Sequence, residues 1–264
     1  MTTSNLPPLL NHFLAGWSCS AATAFSSENA LGRMVKAANS SLPDISVENG
    51  TSACASTDVL YQASNGSSFA MIGQPEWTEE PLANKAREEG HGAALAMAHA
   101  EYGSRFLQAL RGPFAFALID TSTDTVMLGT DRMGRYPLYY AEIDDGLVFG
   151  SSASIVLANT TPTDEAAQAA LQAQGLYDYV YFHMVPSPHS IFGGLKKLPA
   201  GHLLLCSENQ CVVSNYFRPV FREQSQDSFT SLGAELKTQL KSAVEHCIEP
   251  DVTVGAFLSG GLDS

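Results

Sequence analysis

Positive charge is what this sequence has least of: 14 Lys and Arg stand against 27 Asp and Glu, a formal net charge of −13 over 264 residues. Without a basic surplus there is nothing to neutralise a phosphate backbone or an anionic bilayer, so neither nucleic acid nor membrane is expected as a partner. No Lys or Arg precedes Arg33 and no long apolar stretch occurs, which argues against a secretory signal and a transmembrane helix and for a cytoplasmic protein. Cysteine offers no framework either. Cys19, Cys54, Cys206, Cys211 and Cys247 are odd in number and form no C-x-x-C pair, so buried free thiols are expected in place of a disulfide scaffold or zinc knuckle. His183 and His189 have no carboxylate or cysteine at ligand spacing, which leaves a metal site without support. A Walker A loop is missing as well: G-x-x-x-x-G-K-S/T does not occur and no lysine follows Lys241, against a P-loop kinase or GTPase.

What is present is apolar bulk, 45% of the chain, enough to bury one large domain and part of another. Residues 1–11 are polar and proline-bearing and read as a leader before a first strand at 12–17. A helix near 31–38, a short strand at 69–72 and a helical stretch from 86 to 110, interrupted at 90–92, follow. The strongest strand signals are the apolar runs 113–120 and 125–129 joined by Thr121-Ser122-Thr123-Asp124, and 138–141 and 147–150 around Asp144-Asp145-Gly146. Residues 164–174, closed by Gly175, read as a helix. Tyr177, Tyr179, Tyr181 and Phe182 then form an aromatic string, either a ligand-stacking face or, more commonly, core or domain-interface packing. A hairpin is expected at 203–206 and 211–213.

From Asp227 the character changes. Phe229, Leu232, Leu236, Leu240, Val244 and Cys247 recur at helical spacing behind an Asp227-Ser228 cap, and Pro250 ends the helix. The apolar run 252–258 reads as a buried strand feeding Ser259-Gly260-Gly261-Leu262-Asp263-Ser264. Two glycines there let backbone N–H groups approach an anion without Cβ interference, so the loop is expected to cradle phosphate. Helix, strand and glycine loop together open a parallel α/β domain.

Several motifs now stand in one order. Ser259-Gly260-Gly261-Leu262-Asp263-Ser264 resembles the PP-loop of ATP pyrophosphatases. Arg111-Gly112-Pro113-Phe114-Ala115-Phe116-Ala117, Asp131-Arg132-Met133-Gly134-Arg135-Tyr136-Pro137-Leu138-Tyr139-Tyr140, Val185-Pro186-Ser187-Pro188 and Leu195-Lys196-Lys197-Leu198-Pro199-Ala200-Gly201-His202 resemble landmarks of the asparagine synthetase family over residues 70–264. The resemblance implies an α+β chain: an Ntn-hydrolase-like αββα sandwich at 12–220, of the class II glutamine amidotransferase type, then the beginning of an ATP-dependent synthetase domain at 227–264. It also implies carboxylate adenylation by ATP with Mg2+, pyrophosphate release and attack by an amine. Pyrophosphate would lie on Ser259, Gly260, Gly261 and Ser264, Asp263 would help place Mg2+, and Leu258 would border the adenine. Small carboxylates and amines are then the substrates, with a homodimer admitted as the assembly. Breaking off inside a functional loop is expected of an incomplete chain, inactive by itself.

Departures from the family fall in the first half. The family's glutaminase begins with a cysteine whose thiolate attacks glutamine while its free α-amine acts as base. Here Thr2 follows Met1, and His12 stands at the start of the equivalent strand. The family's Asn-Gly pair becomes Ile72-Gly73, whose apolar side chain cannot donate to a developing oxyanion. The aspartate that grips the α-amine of glutamine aligns with His91, and no arginine for its carboxylate is recognisable before Phe69. A glutaminase fold without glutaminase chemistry is therefore expected, as in β-lactam synthetase. Two other readings stay open: a non-enzymatic remnant that binds a partner, and a glutamine-hydrolysing synthetase whose nucleophile has moved to Thr2 or Cys19. Asp131 and Arg132 are read as fixing a turn inside the sandwich, and Lys196 and Lys197 as a solvated loop.

Overall fold

Side-chain alternation along the strands sets the layers of this protein. It is described from a computed structural model, over residues 12–19, 30–38, 46–48, 52–120, 122–143, 146–160, 171–207, 210–221, 227–248 and 253–261. In chain order the elements are β1 (Leu14–Cys19), α1 (Ala30–Ala37), β2 (Ser46–Glu48), β3 (Ser52–Ser56), β4 (Val59–Gln62), β5 (Ser68–Gly73), β6 (Glu76–Trp77), α2 (Glu80–Glu89), α3 (His91–Tyr102), a 3-10 helix (Gly103–Ala109), β7 (Leu110–Arg111), β8 (Phe114–Asp120) and β9 (Thr125–Thr130). Then come β10 (Tyr139–Ile143), β11 (Gly146–Gly150), α4 (Ala153–Thr160), α5 (Ala173–Phe182), β12 (Lys196–Lys197), β13 (His202–Ser207), β14 (Gln210–Asn215) and α6 (Phe229–Cys247).

β8 shows how the layers arise. Ala115, Ala117 and Ile119 point to one side and Phe114, Phe116 and Leu118 to the other, and all six are buried. Burial on both faces is why the run reads as continuously apolar. Two six-stranded antiparallel sheets result, ordered β12-β10-β11-β1-β3-β2 and β14-β13-β9-β8-β5-β4. Between them lie Leu14, Ile72, Ala115, Ala117, Leu138, Phe149 and Leu204. Trp17, Leu31, Met34, Val148 and Ile155 close the outer face of the first sheet under α1 and α4. Phe69, Leu95, Phe106, Phe114 and Phe116 do the same for the second sheet under α3 and the 3-10 helix. The order is α, β, β, α, the expected sandwich.

Close approach needs glycine at Gly16, where a Cβ would overlap the Phe149 ring and the Ala53 carbonyl. Gly175 has the same use and does not end a helix. It lies inside α5, where a Cβ would meet the Ser190 carbonyl at 2.8 Å; the expected helix at 164–174 otherwise falls mostly outside the described residues. The first strand begins at Leu14, two residues later than expected, and the stretch 86–110 is divided at Gly90, whose φ is +90°, and at Gly103, whose φ is +56°. β2 and β3 carry no strand signal of ordinary kind in the sequence, β3 being Ser52-Ala53-Cys54-Ala55-Ser56, while β4, Val59-Leu60-Tyr61-Gln62, is a strand-favouring run of only four residues.

The chain divides into two compact units, Met1–Arg218 and Pro219–Ser264. In the second unit α6 is capped as expected, Ser228 Oγ accepting from Ser231 N–H at 3.2 Å. The expected strand at 252–258 is not formed over its described residues: 253–258 have no strand partner. A strand is defined by its ladder, and no other described segment offers one.

Candidate functional site

β1 opens at one end of the sandwich, and the two residues before it meet the β3–β4 turn and the end of β5. His12 Nδ1 lies 2.6 Å from Asp58 Oδ2. The same oxygen accepts the Gly73 N–H at 2.7 Å. Asp58 Oδ1 accepts from the Thr57 hydroxyl at 2.8 Å, and Thr57 Oγ1 in turn accepts from Phe13 N–H at 3.0 Å. The imidazole also stands edge-on to the Tyr136 ring, 5.1 Å between centroids. Asp58 exposes its backbone on the turn, yet the side chains of His12 and Asp58 are only 23% and 20% exposed.

The structure thus brings two of the positions singled out in the sequence, His12 and the Ile72-Gly73 pair, to one place. Their link is Asp58, which sequence reading missed; a lone Asp after Ser56-Thr57 signals only a turn, and its partners lie 46 and 15 residues away (58 − 12 and 73 − 58). A histidine oriented by an aspartate can serve as a general base. No hydrogen bond joins His12 to a hydroxyl or thiol among the described residues, where its partners are Asp58 and the Tyr136 ring. Ile72 is 1% exposed in the core between the sheets.

His91, the third position singled out in the sequence, lies apart from this cluster. Its Nδ1 accepts from the Trp77 indole N–H at 3.3 Å, and partial burial holds its pKa below the ordinary histidine value. A neutral acceptor in that place supplies no negative charge. Arg33, the one arginine before Phe69, donates through Nε to Asn159 Oδ1 at 2.8 Å.

Neither buried thiol resembles a nucleophile. Burial pushes the Cys54 thiol up to about 12, which keeps it protonated at neutral pH. Cys19 is at the far end of β1 and 3% exposed, roughly 20 Å along the strand from His12. Thr2 lies outside the described residues. Cys206 and Cys211 correct the expectation of free thiols: they face each other directly across β13 and β14 and are joined as a disulfide. Register brings them together, and spacing alone did not reveal it.

Asp131 has the structural use expected of it. Buried at 3% exposure, its carboxylate accepts from Met133 N–H at 2.8 Å, Arg135 N–H at 3.0 Å and Phe114 N–H at 3.2 Å. Arg132 lies with its guanidinium 4.8 Å from the centre of the Phe217 ring. Lys196 pairs on the surface with Glu142 at 2.6 Å. The aromatic string of α5 is not core: Tyr177, Tyr179, Tyr181 and Phe182 are 54% to 66% exposed, Tyr177 stacked on Tyr181.

In the second unit Ser259 Oγ accepts from Gly261 N–H at 3.1 Å, and a Cβ at Gly260 would meet nothing within 4 Å. A hydroxyl, backbone amides and glycines without Cβ are the kinds of group that a pyrophosphate takes as partners, and Ser259, Gly260 and Gly261 are of those kinds. Leu258 is exposed. Asp263 and Ser264, expected at the metal and the phosphate, lie outside the described residues. Among the described residues no group of His, Cys, Asp or Glu could hold a metal ion, and no helix is long and apolar enough to cross a membrane.

Comparison with known proteins places these features. Residues 80–217 match the glutamine amidotransferase domain family, and residues 235–264 match the asparagine synthase family. Over 180 residues the chain is 31% identical to a Mycobacterium bovis protein provisionally named asparagine synthetase (glutamine-hydrolyzing), covering 67% of this chain and 27% of that one. Over 208 residues it is 28% identical to the glutamine-hydrolyzing asparagine synthetase 3 of Bacillus subtilis, covering 75% and 33%. The chain therefore spans about a quarter to a third of the length of these curated relatives. Among solved structures, glutamine phosphoribosylpyrophosphate amidotransferase from Bacillus subtilis overlaps 79% of this chain and 50% of its own, at 12% identity and a TM-score of 0.44.

Proposed function

Because the chain belongs to the asparagine synthetase family, with a glutamine amidotransferase domain followed by the opening of an asparagine synthase domain, we propose that it serves ATP-dependent amide or lactam formation without hydrolysing glutamine. The synthetase domain opened by residues 235–264 adenylates a small carboxylate, releases pyrophosphate, and lets ammonia or an amine of the substrate displace AMP. Ser259, Gly260, Gly261 and Ser264 hold the pyrophosphate in this reading, and Asp263 helps place Mg2+. When bound, ATP supplies the leaving group that makes the carboxylate reactive. Asparagine is the product where aspartate and ammonia are the substrates.

The observation that carries the loss of glutaminase chemistry is the circuit His12–Asp58–Gly73. An imidazole occupies the place of the thiol, its ring nitrogen is committed to a carboxylate, and the neighbouring Ile72 has no donor to offer. The sandwich in this reading spans residues 12–220, and the synthetase domain begins at 227.

The test supplies the gene product with ATP, Mg2+ and candidate carboxylates, once with ammonia and once with glutamine. Pyrophosphate release with ammonia and no glutamate from glutamine is the expected pair of results. Glutamate release at a rate above the buffer blank would overturn the inactive sandwich, and no pyrophosphate release with any carboxylate and amine would return the protein to a binding role.

A further inference from the structure

We propose that the mouth of the sandwich is a carboxylate-binding cradle occupied by the protein's own Asp58. In the Asp58→Ala variant, a small external monocarboxylate takes the same place. The family reading above supplies only the name of the position. The cradle itself stands on its donors.

Three groups converge on one carboxylate from three segments of chain. Gly73 N–H and His12 Nδ1 share Oδ2, at 2.7 Å and 2.6 Å, while the Thr57 hydroxyl donates to Oδ1 at 2.8 Å. Donors gathered in this way are what an anion site consists of. The donors are held independently of their ligand. Gly73 has φ +105°, a conformation that side chains rarely adopt, and a Cβ there would run into the Pro113 carbonyl and the Tyr136 ring. Thr57 is locked to the Phe13 backbone twice, its Oγ1 accepting from Phe13 N–H at 3.0 Å and its own N–H donating to the Phe13 carbonyl at 2.9 Å. His12 rests edge-on against Tyr136, itself 6% exposed. Removing the Asp58 carboxylate therefore leaves donors aimed at an empty space, not a collapsed loop.

The consequence for chemistry follows directly. A backbone amide beside a strand end is the kind of donor that stabilises a developing oxyanion in acyl transfer. Here that amide is taken by a fixed anion of the chain, so an acyl oxygen has no access to it while Asp58 is present. The lost glutaminase site is closed as well as stripped of its nucleophile.

The experiment uses the whole chain with sodium formate as probe and sodium chloride at equal ionic strength as control. Asp58→Ala is expected to lower Tm by roughly 3–6 °C, and formate, not chloride, to restore at least half of that loss while leaving the unchanged protein where it was. Restoration by chloride to the same extent, or none by formate, overturns the cradle. Should the alanine variant not fold, the Gly73 amide proton decides. It is expected well downfield in the unchanged protein and shifted upfield in Asp58→Asn, where the acceptor is neutral; a Gly73 resonance at an ordinary position that Asp58→Asn does not move overturns the proposal. Glutamate release from glutamine by the unchanged protein would sink the inactive-glutaminase reading and leave the formate result standing, so the two can fail separately.

Discussion

Asp131 and Asp58 both hold backbone N–H groups at strand ends of the sandwich, three at Asp131 and one at Asp58. Asp131 keeps a family motif and accepts three N–H groups within the turn that follows β9 and from the neighbouring β8. Asp58 sits at the mouth of the sandwich beside His12 and the Ile72-Gly73 pair, and it gathers an amide, an imidazole and a hydroxyl. One carboxylate is buried and serves its own turn and the neighbouring strand, while the other is partly exposed and gathers donors from three segments. The difference teaches that one carboxylate can serve a turn and its neighbouring strand while another, at the mouth of the sandwich, ties together segments that are far apart in the sequence.

The comparison is broken most strongly at Asp131. Asp131→Ala leaves three amides at a buried site without their acceptor, an expected loss of about 4 kcal/mol and a fall in Tm of roughly 8–16 °C, read by calorimetry. A loss no larger than that of Asp58→Ala would mean that burial does not separate the two. Next comes Gly16, which sits in the strand that His12 introduces. Gly16→Ala forces a Cβ into the Phe149 ring and the Ala53 backbone, and about 2–3 kcal/mol of overpacking is expected; urea unfolding with an unchanged m-value and a lower midpoint would confirm it. A neutral result would show that the two strands can part without cost to the mouth.

A smaller effect is expected from His91. Burial depresses its folded pKa, so between the folded and unfolded values the unfolded chain binds more protons, and stability falls as pH drops below about 6.5. His99 is depressed by burial as well, against the opposing charge of Asp120, and adds in the same direction. His91→Gln should flatten the loss of Tm between neutral pH and pH 5 without abolishing it. An unchanged pH profile would move the acid sensitivity to His99 or elsewhere.

Much of the sandwich was legible because its signals are local. Phe114–Asp120 and Thr125–Thr130 announce a hairpin by composition and turn, and the Asp131 turn is contained within a few residues. β3 was not legible: Ser52 and Ser56 stand at its ends around Ala-Cys-Ala, and only the two sheets around it explain its burial. Asp58 stayed hidden for the same reason, since its value depends on a strand pairing that brings residues 12 and 73 to one turn. The Cys206–Cys211 bridge is likewise a fact of register. In the second unit the run 253–258 carries the composition of a strand without a described neighbour to pair with. Local pattern specifies an element's preference; its pairing is supplied by other parts of the chain.

The mildest expected change is the most pointed test of what the mouth has become. His12→Cys puts a thiol at the position that the proposed function equates with the family's nucleophile, and no glutamate is expected from glutamine. Eleven residues precede position 12, so the nitrogen beside that thiol is a peptide amide and cannot act as the base. Ile72 still offers no hydrogen bond, and Asp58 still holds the Gly73 amide. A thiolate beside the Asp58 carboxylate is also opposed by its charge, which keeps the thiol protonated. Combining His12→Cys with Asp58→Ala frees the amide and removes that charge, yet the missing base and the apolar Ile72 remain, so the double variant is expected to stay silent in the same assay. Glutamate from His12→Cys would mean that this one residue decides the proposed loss of hydrolysis, and glutamate from the double variant alone would mean that His12 and Asp58 decide it together.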